Sequence, residues 1–179
     1  NVVAGHNPCY VRKYNMVQEL VPGGTFLLNC SWSSEELEKH LPGQVKRYIA
    51  ENDIKFYTID GIKIGKEIGL GGRINTVLQS AFFKLAAIIP EERAIELMKA
   101  AAKATYGKKG DKIVQMNYDA IDAGATGVVK IEVPESWKDA QDENFAKVAT
   151  GDRKDVVDFV NDIQIPVNGQ EGNKIPVSV

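Results

Sequence analysis

The chain has 179 residues, a formal net charge of −2 and 44% hydrophobic residues. That length suits one domain with a sizeable buried core, and the intermixed charges argue against a nucleic-acid-binding or anionic-membrane surface. No apolar run approaches the roughly 20 residues of a membrane helix, and Cys9 and Cys30 are too far apart for a C-x-x-C pair. A reduced, cytoplasmic protein is expected. The chain opens on Asn1 without an initiator methionine, so it is expected to begin inside a longer protein.

Asn1–Ala4 reads as the end of a buried strand. Gly5-His6-Asn7-Pro8 then turns into a helix, with Asn7 as N-cap and Pro8 at the first helical position. That helix should carry Tyr10, Tyr14, Val17 and Leu20 and stop at Pro22-Gly23-Gly24. Thr25–Leu28 is a second strand with Asn29–Trp32 as its polar tip, and Ser33 with Glu36 spells a capping box. The helix after it should break at Pro42-Gly43 and resume over Gln44–Asn52, before a third strand, Ile54–Ile59, and Asp60-Gly61.

Strands alternating with helices over short connections predict an α/β fold, a Rossmann-like parallel sheet with flanking helices. Ligands bind such sheets at the carboxyl ends of the strands, where His6-Asn7, Asn29–Trp32 and Asp60-Gly61 fall. Each tip also reads as a cap or turn, and for Asn7 and Ser33 capping alone accounts for the residue.

Gly65–Ala86 joins a short amphipathic run to a long one. Ile74, Val77, Leu78, Ala81, Phe82 and Leu85 share one helical face. Gly69, Gly71 and Gly72 supply a hinge, and Arg73 stands where the second helix should begin. A helix start gathers free N–H groups and partial positive charge, so Arg73 would extend an anion-binding corner. Local physics favours the plainer reading, a glycine kink between packed helices with an exposed arginine. Gly69–Ile74 approaches G-x-G-x-x-G, but Ile74 replaces the last glycine and the run follows a helix, against a dinucleotide site.

Pro90 opens a helix to about Tyr106 with Ala94, Leu97, Met98, Ala101 and Ala102 inward and Gly107 as its stop. Lys108-Lys109-Gly110 reads as a solvated turn and Asp111 as the cap of a helix whose Ile113, Val114, Asn117, Ala120, Ile121 and Gly124 form a narrow face. Val128–Val133 alternates as an edge strand does. Order should decline beyond Pro134: Lys138–Asn144 is polar, Asp152–Ile163 suits one amphipathic helix, and Pro166–Val179 reads as an extended interdomain linker.

There is no phosphate loop, no nucleophile elbow and no metal-ligand spacing. His40 sits at a helix end, where the dipole explains it, and His6 near Cys9 lacks a third orienting group. From the residues alone the chain reads as a binding or interaction domain without its own chemistry.

The runs His6-Asn7-Pro8-Cys9-Tyr10, Gly23–Asn29, Ser31-Trp32-Ser33, His40-Leu41-Pro42, Phe56–Asp60, Gly69–Asn75, Gln79–Leu85, Tyr106–Gly110 and Ser136–Ala140 resemble the pyruvate:ferredoxin (flavodoxin) oxidoreductase family. The resemblance runs from the first residues to the terminal linker. It implies an enzyme that oxidatively decarboxylates pyruvate with thiamine diphosphate, magnesium and iron–sulfur clusters. Electrons would go to ferredoxin or flavodoxin and the acetyl group to coenzyme A. It further implies that residues 1–140 are part of a gamma-type domain that helps cover coenzyme A, and that 141–179 lead toward a ferredoxin-like domain.

By the same resemblance this piece is inactive alone and binds neither thiamine diphosphate nor a cluster. Gly110-Asp111 and Gly151-Asp152 are followed by lysine and arginine instead of continuing a thiamine-binding G-D-G pattern. The other domains of a homo-oligomeric enzyme would be its partners. Arg73 would then contact coenzyme A, Gly71 and Gly72 would let the backbone approach it, and Asn75 is a weaker candidate. Two alternatives stand beside this: an interdomain-docking module whose glycines only permit motion, and an independent α/β protein binding another nucleotide. Strands missing ahead of Asn1 would leave an exposed sheet edge, so the isolated chain is expected to be a marginal fold or to dimerise through that edge.

Overall fold

Three short runs rich in β-branched and aromatic residues pair side by side, which is the favoured use of such residues. In the computed structural model, which describes residues 1–142 and 148–177, β1 (Val2–Gly5), β2 (Thr25–Asn29) and β3 (Lys55–Ile59) are parallel and adjacent in that order. β2 is buried along its whole length, as a central strand covered on both faces must be. Register sets Phe26 against Phe56, and their rings stack at 5.4 Å.

The sheet is mixed, where a parallel one was expected. β4 (Val129–Lys130) pairs antiparallel with β3, Val129 beside Thr58 and Lys130 beside Tyr57. The chain reaches it from a helix ending at Thr126, close to the carboxyl end of β3, and two residues cannot recross the sheet. β4 therefore runs back, and Ile131 extends the pairing by donating its N–H to the Phe56 carbonyl at 2.9 Å.

One face is covered by α1 (Tyr10–Lys13), a 3-10 turn at Met16–Glu19, α2 (Ser34–His40) and α3 (Gly43–Glu51), closing a core around Phe26, Leu28, Leu37, Ile49 and Phe56. The capping box at Ser33 and Glu36 is present in both directions, and the break at Pro42 is as expected. The first helix is shorter than its periodicity suggests. Tyr14 is extended (φ −130°, ψ 145°), and Asn15 follows it outside helical space, so Val17 and Leu20 reach the core from the separate 3-10 turn.

The other face carries α4 (Gly61–Ile68), α5 (Asn75–Ala86) and α7 (Asp111–Thr126), with α6 (Glu91–Tyr106) packed outside α5 and α7. Leu27, Ile59, Val77, Ala81 and Ala120 form its core. α5 and α7 cross so closely that a Cβ on Gly124 would collide with the Val77 carbonyl oxygen. Because α6 packs mainly against α5 and α7, its inward stripe is narrow. Ala94 and Ala102 are buried, whereas Leu97 is 46% exposed and Ala101 is exposed, against expectation. α6 ends at Tyr106 with Gly107 as its C-cap, as expected, and a 3-10 turn over Gly107–Lys109 follows it. Gly110 (φ +100°) is the N-cap of α7, and Asp111 is its first helical residue instead of its cap.

Order does not end at Pro134. The 3-10 turn Glu135–Asp139 places Trp137 in the core, 2% exposed and tilted against Phe56. The Trp137 indole N–H donates to the Glu38 carboxylate, which also pairs with Lys46 at 2.7 Å. Arg47 donates to the Ala140 carbonyl and grips the Asp142 carboxylate with bonds of 2.8 and 2.9 Å. Residues 135–142 thus form a strap across α3.

Further on, α8 (Lys154–Phe159) continues through a π-helical turn, Val160–Gln164, into α9 (Ile165–Asn168). The stretch expected to be extended from Pro166 is therefore helical at its start. Pro166 is the second residue of α9, directly after the π-helical turn. The part of the polar stretch that includes Asn144, and the final Ser178-Val179, lie outside the described residues.

Candidate functional site

Two places were singled out by the sequence, the carboxyl ends of the strands and the glycine hinge. At the first, Asn29 is 3% exposed and joins all three parallel strands. Its side-chain N–H donates to the His6 carbonyl at 3.0 Å, and its side-chain oxygen accepts from the Gly61 N–H at 2.9 Å. Asp60 accepts from Lys63 N–H at 2.9 Å and caps α4, while Asn7 accepts from Cys9 N–H at 3.0 Å. The Ser33 N–H holds the Glu36 carboxyl below its ordinary range. Among the described residues no buried side-chain polar atom lacks a hydrogen-bond partner.

The aromatic and sulfur groups there are also engaged. Trp32 stacks on His40 at 4.6 Å, and Arg12 donates from Nε to the His40 carbonyl at 3.1 Å. The His6 ring packs edge-on to Tyr10 at 5.0 Å, so it is engaged with an aromatic ring, and Cys9 is exposed. Burial pushes the Cys30 thiol up, away from the thiolate a nucleophile needs. Two cysteines cannot supply the four thiolates of a cubane cluster, and no trio of His, Cys, Asp or Glu among the described residues could hold a metal ion.

The hinge is open. α4 ends at Gly69 in the left-handed region (φ +92°), and Gly71 adopts φ +62°, both costly for a side chain bearing Cβ. Gly72 is exposed with an ordinary φ. α5 begins at Asn75, two residues later than the glycine–arginine reading suggests. Arg73 donates its backbone N–H to the Leu70 carbonyl at 3.3 Å, and Ile74 N–H turns back to Gly72, so both remain in the turn. Ile74 is the N-cap and offers no side-chain acceptor to the first N–H groups of α5.

Gly71, Gly72, Arg73 and Asn75 are all exposed in this one turn, and Arg73 forms no ion pair with a described residue. The eight residues of α4, about 12 Å of helix, stand between this turn and the carboxyl end of β3. The structure therefore gathers the four hinge residues and keeps them apart from the strand tips. An exposed guanidinium beside an uncapped helix start can receive an anion, but it offers no acid–base pair or nucleophile.

Sequence reasoning missed that the basic loop belongs to the same end of the molecule. Met116 of α7 touches Gly69 closely enough that a Cβ there would lie 3.4 Å from its methyl carbon. Thr76 donates to the Asn117 side chain at 3.4 Å, and Ser80 donates to the Ile121 carbonyl at 2.6 Å, so α5 and α7 rise together from that end. The equal four-residue steps on the two helices were the available signal.

Residues 1–127 match the family model described as pyruvate ferredoxin/flavodoxin oxidoreductase. A pyruvate-flavodoxin oxidoreductase of Enterobacter agglomerans is 52% identical over 170 residues, covering 95% of this chain and 14% of the relative. A pyruvate:ferredoxin oxidoreductase of Moorella thermoacetica is 46% identical over 99% of this chain and 15% of its own length. The chain thus spans about a seventh of these curated relatives. Pyruvate oxidoreductase subunit PORC of Thermotoga maritima shares the fold, with a TM-score of 0.57 at 18% identity over 73% of this chain and 65% of that one.

Proposed function

This chain belongs to the pyruvate ferredoxin/flavodoxin oxidoreductase family, and from that premise we propose that it is the coenzyme A-covering, gamma-type part of a longer enzyme. That enzyme decarboxylates pyruvate oxidatively, sends electrons to ferredoxin or flavodoxin and transfers the acetyl group to coenzyme A. Thiamine diphosphate, magnesium and the iron–sulfur clusters belong to its other domains, which are the partners of this one. Residues 1–140 are the domain proper and 141–179 the connection onward.

The observation that carries the coenzyme A reading is Arg73, exposed and without an ion pair among the described residues, on a glycine turn at an uncapped helix start. Coenzyme A presents a diphosphate and a ribose phosphate, and a guanidinium fork matches phosphate oxygens two at a time. Gly71 and Gly72 keep side chains out of the approach, and Asn75 stands beside it.

In the full-length enzyme Arg73→Ala should raise the Kd for coenzyme A by roughly ten-fold or more, the loss expected of one charge-assisted contact. Titration calorimetry of the parent and the variant measures it.

A second reading, an interdomain-docking module, is favoured by the exposed Val156, Phe159 and Val167 on the helical tail. It requires coenzyme A affinity to be indifferent to Arg73, so the same titration separates the two.

A further inference from the structure

The hinge end of the molecule carries a charge quite unlike the rest of the chain. Lys66 closes α4, Arg73 sits in the hinge, Lys103 lies in the last turn of α6, and Lys108, Lys109 and Lys112 surround the turn into α7. All six are exposed, against two carboxylates in the same segments, Glu67 and Asp111. The end is therefore strongly basic on a chain whose net charge is −2.

None of these six cations joins an ion pair with a described residue. The dipole at a helix C-terminus accounts for Lys66 and Lys103. It accounts as well for Lys108 and Lys109, which lie in the 3-10 turn that closes α6, and Lys109 also sits over the Tyr106 ring at 5.4 Å. It does not account for Arg73, or for Lys112 in the first turn of α7, where the helix dipole disfavours positive charge.

The geometry sets these lysines just beyond Arg73. The bond from Thr76 to Asn117 fixes the second residue of α5 level with the seventh of α7. The first residues of α7 then project about 9 Å further out. Like charges presented at one end of a molecule add their fields over a range set by the Debye length, about 8 Å at physiological salt.

We infer that this basic end is the surface on which the phosphate-bearing part of coenzyme A first lands, Lys108, Lys109 and Lys112 drawing it toward Arg73. The inference rests on the coenzyme A reading given above. It adds a capture step made by residues outside the hinge, and it requires the ribose phosphate to contribute to the rate of encounter.

The test is stopped-flow association of coenzyme A, and of dephospho-coenzyme A lacking the ribose phosphate, with the full-length enzyme over a range of salt. The parent should bind coenzyme A faster than the dephospho form, with a rate that falls steeply as salt rises. In the Lys108→Gln, Lys109→Gln, Lys112→Gln variant the low-salt rate should drop roughly ten-fold, the salt slope should flatten and the difference between the two ligands should shrink. A rate and slope equal to the parent's, while Arg73→Ala still weakens coenzyme A, would overturn the landing surface alone. If Arg73→Ala also leaves affinity unchanged, the coenzyme A reading falls with it.

Discussion

The carboxyl edge of the sheet and the glycine hinge use polar residues in opposite ways. Asn29 directs its polar atoms inward, to backbone groups beside both neighbouring strands, while Asp60, Asn7, Ser33 and Glu36 spend theirs on backbone N–H groups two or three residues away. Arg73 and the lysines of the α6–α7 turn are exposed to solvent. The edge where ligands of open α/β sheets usually bind is here self-satisfied, and the exposed cations lie a helix length away. Chemical promise at a strand tip is thus a weaker guide than whether its hydrogen bonds are already made.

Substitutions should separate the closed side from the open one. The largest loss is expected on the closed side at Trp137→Ala, about 3–5 kcal/mol for a buried aromatic, read as a lower urea midpoint. Asn29→Ala should cost about 1–3 kcal/mol, because Gly61 N–H and the His6 carbonyl lose their shared partner. A stability within experimental error of the parent's in that variant would show that the strand tips are not closed by Asn29.

Acid should act on the same side. Ser33 N–H lowers the Glu36 carboxyl, and the Lys46 ammonium, with help from Trp137, lowers that of Glu38. Both folded values lie below the unfolded ones. Their contribution is complete above an unfolded value of about 4.3 and is lost as pH falls through the lowered folded values. Urea midpoints at pH 6 and pH 3 should differ less in Glu36→Gln and Glu38→Gln than in the parent. The smallest effect belongs to the open side: Arg73→Ala should change stability by less than about 0.5 kcal/mol. A larger shift in its thermal midpoint would mean that the arginine supports the hinge, contrary to its exposure.

Local chemistry was legible in the sequence wherever one residue type has few alternatives. The capping box at Ser33 and Glu36, the break at Pro42, the strand tips and the left-handed glycines Gly69 and Gly71 each follow from backbone rules acting over four or five residues. What escaped depends on distant neighbours. Trp137 sits in a polar stretch, and only the pocket beside Phe56 and Glu38 makes it core. Leu97 follows a helical period but faces outward because α6 has neighbours on one narrow side. The direction of β4 was set by where α7 delivers the chain. The hinge residues were legible as a group, while their distance from the strand tips required the length and direction of α4.

The contact at Gly124 has a consequence for how the molecule opens. With Val77 pressed against a glycine and Ser80 bonded to the Ile121 carbonyl, α5 and α7 cannot part without losing both contacts together. Their amide protons belong to one cooperative unit and should exchange with solvent at a common rate.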